Sequence, residues 1–235
     1  DANTGLGINA LTANTSGQLN TAVGFEALAT NTTGQRLTAV GKSALQNSTG
    51  SFNTAVGSVA LENNTSGAQN TAVGDYALNS NTSGGFNTAC GQGGLLTNST
   101  GQHNTALGCN SLQTNNGDDN TSGGYNSMLT NNSGYSNTAF GIYTLRQNTT
   151  GTNNVALGQS ALLNNTTATL NVSIGYNSMY TNSTGAYNTC VGANAMDSNT
   201  TASQNTAIGY SALKENTTGY ENVAIGYGAS LVGTT

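Results

Sequence analysis

The sequence predicts an all-β fold, a parallel β-solenoid (β-roll) of about 14 rungs, and three observations predict it. A short motif recurs at near-constant spacing; small, β-branched and apolar residues hold fixed columns when the copies are aligned; and charge is excluded from the motif. The glycine closing each "TAVG"-like unit falls at Gly7, Gly24, Gly41, Gly57, Gly74, Gly91, Gly108, Gly124, Gly141, Gly158, Gly175, Gly192, Gly209 and Gly226. The interval is 17 residues, except for 16 from Gly41 to Gly57 and from Gly108 to Gly124. A fixed period of this size reads as one coil per repeat.

The strand comes first in each rung. Four residues before the glycine stands Asn (Asn20, Asn53, Asn70, Asn205), with Leu37 the exception. A β-branched column follows, Thr21 or Thr54 in most rungs and Val155, Val172 and Val223 in others. The third column is small: Ala22, Ala55, Ser122, Ser173, Cys190. The fourth is apolar and mostly large: Val23, Val56, Val73, Leu107, Phe140, Leu157, Ile174, Val191, Ile208, Ile225, with Gly123 a gap. Such residues ending at Gly make a short strand.

After the glycine come two variable positions and a small residue such as Ala27, then an apolar column. That column holds Leu28, Leu45, Leu61, Leu78, Leu112, Met128, Leu145, Leu162, Met179, Met196 and Leu213. It fails at Ser230, where the solenoid is expected to fray or hand over. "NTTG" or a variant follows, as at Asn31 to Gly34. Asn and Thr bond their own backbone in turns and Gly adopts positive φ at low cost, so this is the corner. Ala168 and Ala202 replace that glycine, so positive φ is not strictly required there. A helix is excluded, because two Gly and an Asn-Thr-Thr run per repeat lower helical propensity and the apolar residues miss helical spacing. Rungs stacked at roughly 4.8 Å would let Asn amides bond from rung to rung.

The 4 basic and 9 acidic residues all occupy variable positions. None lies in an "NTAVG" strand. Alternate strand residues point to opposite faces, Thr21 and Val23 to one and Asn20, Ala22 and Gly24 to the other. A lone coil in water would tolerate charge on whichever face it exposed. Neither face does, which predicts that one packs inside the coil and the other against another chain. An exposed apolar stripe along the stack would also exceed what monomers usually show. The residue pattern leaves open which face looks inward.

Composition narrows the role. A net charge of −5 with only four basic residues excludes nucleic-acid binding, since phosphate neutralisation needs clustered Lys and Arg. No apolar run reaches membrane-spanning length, so membrane insertion is not expected. The whole of 1–235 reads as one repeat domain, and since the repeat is already running at residue 3 it is expected to be an excerpt of a longer fibre.

The strands "NTAVG", "NVSIG", "NTAIG" and especially "NVAIGYGAS" (Asn222 to Ser230) resemble the head repeats of trimeric autotransporter adhesins, in which SVAIG-like strands recur. They are also similar to repeats of some phage tail fibres and long secreted bacterial surface proteins. The resemblance covers nearly the whole chain and rests on a short motif. It implies a left-handed β-roll, three chains around one axis and an extracellular location, as a cell-surface appendage, secreted fibre or virion fibre. The adhesin repeat is usually shorter, so the additional residues are expected to enlarge the "NTTG" corner.

No catalytic constellation is present, and neither enzymatic activity nor a cofactor is expected. His103, the one histidine, sits at a corner and reads as a solvated turn residue. Asp118 and Asp119 could offer oxygens to a cation but lack the spacing of a calcium loop. The corner makes N-x-[ST] sequons at Asn31, Asn47, Asn64, Asn81, Asn98, Asn148, Asn182 and Asn216, candidates for glycosylation, although the turn explains them without sugar. Aromatics at variable positions, such as Phe25, Tyr76, Tyr125, Tyr143, Tyr176, Tyr210 and Tyr227, could meet surface glycans or host-surface molecules, or simply cover turn backbone. Of the three cysteines, Cys90 and Cys190 replace strand residues and Cys109, in a variable position, is the expected reactive thiol. The expected role is a non-enzymatic fibre segment giving reach and multivalent attachment, with copies of itself as partners. The alternative is an ice-binding solenoid, since Thr ladders at fixed spacing suit ordered water; Val155, Val172, Val223 and Phe140 count against it.

Overall fold

The structure, a computed structural model, describes residues 2–230. The chain divides into two compact units, Asp1–Asp119 and Asn120–Thr235. The first carries β1 (Thr4–Leu6), β2 (Thr21–Val23), β3 (Thr38–Val40), β4 (Thr54–Val56), β5 (Thr71–Val73), β6 (Thr88–Cys90) and β7 (Thr105–Leu107). The second carries β8 (Thr121–Gly123), β9 (Thr138–Phe140), β10 (Val155–Leu157), β11 (Val172–Ile174), β12 (Thr189–Val191), β13 (Thr206–Ile208) and β14 (Val223–Ile225). Within each unit the strands pair in chain order and all in parallel. Among the described residues there is no helix. This is the parallel β-solenoid, one coil per 17 residues, that the columns predict.

Register follows the columns. Thr21, Ala22 and Val23 pair with Thr38, Ala39 and Val40, like on like. The 16-residue interval does not disturb this, for Thr38, Ala39 and Val40 pair with Thr54, Ala55 and Val56. The missing residue is taken from the corner, where Ser48-Thr49-Gly50 stands for Asn-Thr-Thr-Gly. Asn115-Asn116-Gly117 shortens the other corner in the same way. A deletion in the strand would have turned every side chain beyond it to the wrong face.

The coil closes by a different device from the one the sequence suggests. The corner glycines, Gly34 and Gly67 among them, are not in the left-handed region. They are glycine for space: a Cβ on Gly67 would fall on the Gly84 carbonyl oxygen and on Asn64 Oδ1. Ala168 and Ala202 take the same place, also outside the left-handed region. The positive φ angles lie instead at the strand-ending glycine (Gly24, 136°) and at three non-glycine columns, as at Glu26 (56°), Leu28 (52°) and Arg36 (54°). Left-handed backbone costs on the order of 1–2 kcal/mol per non-glycine residue. Hydrogen bonds along the stack offset it. Gly24 and Glu26 N–H donate back to Leu6 and Ile8 carbonyls at 2.8 and 2.9 Å, and Leu28 and Thr30 N–H donate forward to Ala44 and Gln46 at 3.1 and 3.0 Å.

The strand places its small face inward. Asn20, Ala22 and their column-mates from β2 to β13 are buried, and Ala27 and Leu28 are buried with them inside the coil. From Leu28 to Met196 the Leu/Met column is fully buried. One large apolar side chain per rung is a thin core, worth about 2–3 kcal/mol per residue. The rest of the interior is amide. Asn20 Oδ1 accepts from Leu37 N–H at 3.0 Å while its Nδ2 donates to Gly34 O at 2.9 Å. A second ladder runs through the corner, where Asn81 Nδ2 donates to Asn64 Oδ1 at 2.7 Å and to Gly84 O at 2.9 Å. Buried amides are tolerated because their donors and acceptors are matched rung after rung. At Ser230, the last described residue, the side chain is exposed, while Leu213 N–H still donates to Ala229 O at 2.8 Å. Any hand-over beyond it lies outside the described residues.

Candidate functional site

With Asn20 and Ala22 inside, Thr21 and Val23 must face out. The apolar fourth column is therefore the outward stripe of the sheet rather than its core. Val40, Val56, Val73 and Leu107 keep nearly equal exposures of 37%, 38%, 38% and 42% in the first unit. In the second, Phe140 and Ile208 are 41% and 38% exposed, and Leu157, Ile174 and Val191 are half-buried. Each is covered along the stack by its column-mates and open only away from the sheet. No charged residue lies in the strands.

The two shortened rungs leave this face unchanged. Both shortened rungs lose their residue at the corner, away from the strand. Gly123, the gap in the outward column, is covered by Phe140 of the next rung, whose ring carbons Cδ1 and Cε1 lie 2.5 Å from where a Gly123 Cβ would be. The Phe140 ring therefore lies over the gap. The largest and smallest residues of the column are neighbours, so the volume deficit of one is filled by the other.

The corner and strand columns of threonine have opposite chemistry. At the corner, Thr49, Thr65 and Thr82 Oγ1 donate to the next rung's carbonyls at 2.7, 2.8 and 2.9 Å. On the strand, Thr21, Thr38, Thr54, Thr71, Thr88 and Thr105 make no side-chain hydrogen bond among the described residues. These side chains face outward beside the apolar column, one per rung. This difference is not legible in the sequence, where both columns read as Thr.

The structure places most of the sequon asparagines inside the coil. Asn31, Asn64, Asn81, Asn98, Asn148 and Asn182 are wholly buried, and Asn216 is half-buried with its Nδ2 on Gly219 O at 3.0 Å. A glycan on Nδ2 would remove a ladder donor and place a sugar inside the coil. Asn47 stands one position before the ladder, whose place is taken there by Ser48, and is half-buried.

The remaining candidates are dispersed. Asp118 and Asp119 are exposed; Asp118 Oδ1 accepts from Gln102 N–H at 2.8 Å, and Asp119 Oδ1 lies 3.4 Å from His103 Nδ1. No group of three or more metal-binding side chains occurs among the described residues. Cys109 is half-buried, whereas Cys90 is exposed because its strand position faces out. Burial pushes the Cys190 thiol far above its ordinary range, leaving it protonated and inert. Tyrosines of the ridge after the strand contact each other, Tyr210 stacked on Tyr227 at 5.2 Å and Tyr125 edge-on to Tyr143 at 5.7 Å. No protein-family model matches the chain, and no curated protein matches it significantly.

Proposed function

We propose that the chain is a non-enzymatic segment of an extracellular fibre, a structural or adhesive element built from copies of itself, three being the number its adhesin-like strands suggest. The observation that carries this reading is a rung whose backbone and buried amides bond to both neighbours while its outward face carries no charge. Such a stack is extended by repetition, and many identical outward groups act together through high effective concentration. Ridge aromatics would meet surface glycans or host-surface molecules. Sedimentation velocity of the chain tests the reading: an oligomer is expected, and a stable monomer at micromolar concentration overturns it. A second reading, ice binding, is favoured by the free strand hydroxyls; thermal hysteresis from a monomeric sample would establish it in place of the first.

A further inference from the structure

We propose that Asn116 and Gly117 form a self-modifying site, at which Ser99 assists loss of the asparagine amide to give aspartate and isoaspartate. The proposal is independent of the fibre reading. Asn116 is the one asparagine of the chain that precedes a glycine. It does so because this rung is a residue short. In the full-length corners a Ser or Thr stands between the second corner residue and the glycine, as Thr33 and Ser66 do. Asn116 is also exposed. Ladder asparagines such as Asn64 and Asn81 are wholly buried, are followed by Thr, and use their Nδ2 within the coil.

Two donors stand where charge develops in that reaction. Ser99 N–H and Ser99 Oγ both donate to Asn116 Oδ1 at 2.8 Å. In the two rungs before it the equivalent N–H, of Thr65 and of Thr82, donates to a main-chain carbonyl of the next rung instead, at 3.0 and 2.9 Å. Attack of the Gly117 nitrogen on Asn116 Cγ puts negative charge on Oδ1, and donors preset at that oxygen stabilise it as an oxyanion hole does. The chain itself holds the nucleophile near the carbonyl carbon, and Gly117 has no side chain to obstruct the approach. The N–Cγ bond forms, the Cγ–Nδ2 bond breaks, and the Gly117 amide proton leaves with Nδ2 in ammonia. Asn116 Nδ2, the leaving group, makes no hydrogen bond among the described residues. Water then opens the cyclic imide at either carbonyl, giving aspartate or isoaspartate without any oxidant or reductant.

The test incubates the whole chain at mildly alkaline pH, folded and in urea, and follows it by peptide mass mapping. In the folded chain the peptide carrying Asn116 is expected to gain the mass difference between an amide and an acid, faster as pH rises. It should also become a substrate for isoaspartate methyl transfer, while the peptides carrying Asn64 and Asn81 stay unchanged. Asn116→Thr, which restores the usual corner residue, is expected to abolish the gain. Ser99→Ala is expected to slow it by about tenfold, less than the loss of an enzymic oxyanion donor because the corner is open to water. Ser99→Thr, which keeps the hydroxyl, should hold the wild-type rate, and both variants should keep the circular dichroism of the fold. Conversion at Asn116 in urea alone overturns the site. Conversion in the folded chain that Ser99→Ala leaves unchanged or accelerates overturns the assistance from Ser99.

Discussion

The two sides of a single rung use the same residue type in opposite ways. At the corner, threonine hydroxyls and asparagine amides close on the next rung, as Thr82 does on Ser99 O and Asn81 on Asn64. At the strand, the main chain alone joins the rungs, and Thr71 and Val73 are left to face outward. Side-chain hydrogen bonds along the stack are concentrated at the corner, and the outward strand side chains are left out of them. A repeat protein can separate the two within 17 residues because each position recurs in the same environment in every rung.

The sharpest break of that contrast is Asn81→Ala. It removes donors to Asn64 and Gly84 and the acceptor for Asn98 inside the coil, and is expected to destabilise the first unit by about 3 kcal/mol in urea unfolding. An unchanged midpoint would show that the corner ladder does not hold the rungs. Ser178→Ala acts in the other direction. Its hydroxyl is buried without a partner in a column where Ala is the usual residue, so the second unit should gain about 1 kcal/mol. The threonine pair compares the two sides directly. Thr82→Val should cost about 0.5–1 kcal/mol by losing its bond to Ser99 O, whereas Thr71→Val should stay within about 0.5 kcal/mol. Equal losses would erase the distinction between the ladders.

The smallest expected effect is on the pH profile of the second unit. Burial raises the Asp197 carboxyl above its ordinary value, attraction to Lys214 lowers it and repulsion from Glu215 raises it. The folded state therefore holds this proton more tightly than the unfolded chain. The destabilising effect is fully present above the raised value and is relieved as pH falls through it toward the ordinary carboxylate range. Asp197→Asn should flatten that part of the stability curve; a wild-type slope in the variant would assign the effect to another group.

Strand positions, register, the coil period and the buried Leu/Met column were legible because each is a period, and burial of like on like leaves a period in the residues. The corner glycines were legible as a site of constraint but not in kind, since a requirement for space and one for positive φ both select Gly. The left-handed columns left no trace at all: Glu26, Val59, Tyr76 and Leu78 share no chemical property that marks their backbone. Their conformation is imposed by hydrogen bonds to the rungs on either side, which exist only once the coil is stacked.

By itself, then, the sequence determined that the chain is a stack of parallel coils and that its strands admit no charge. Only the tertiary structure decided which strand face is outside, that the sequon asparagines lie inside, and which threonines keep a free hydroxyl. The reason is geometric. A repeat states that two residues are equivalent, but the direction a side chain takes, and the carbonyl it reaches, depend on how the coil closes upon itself.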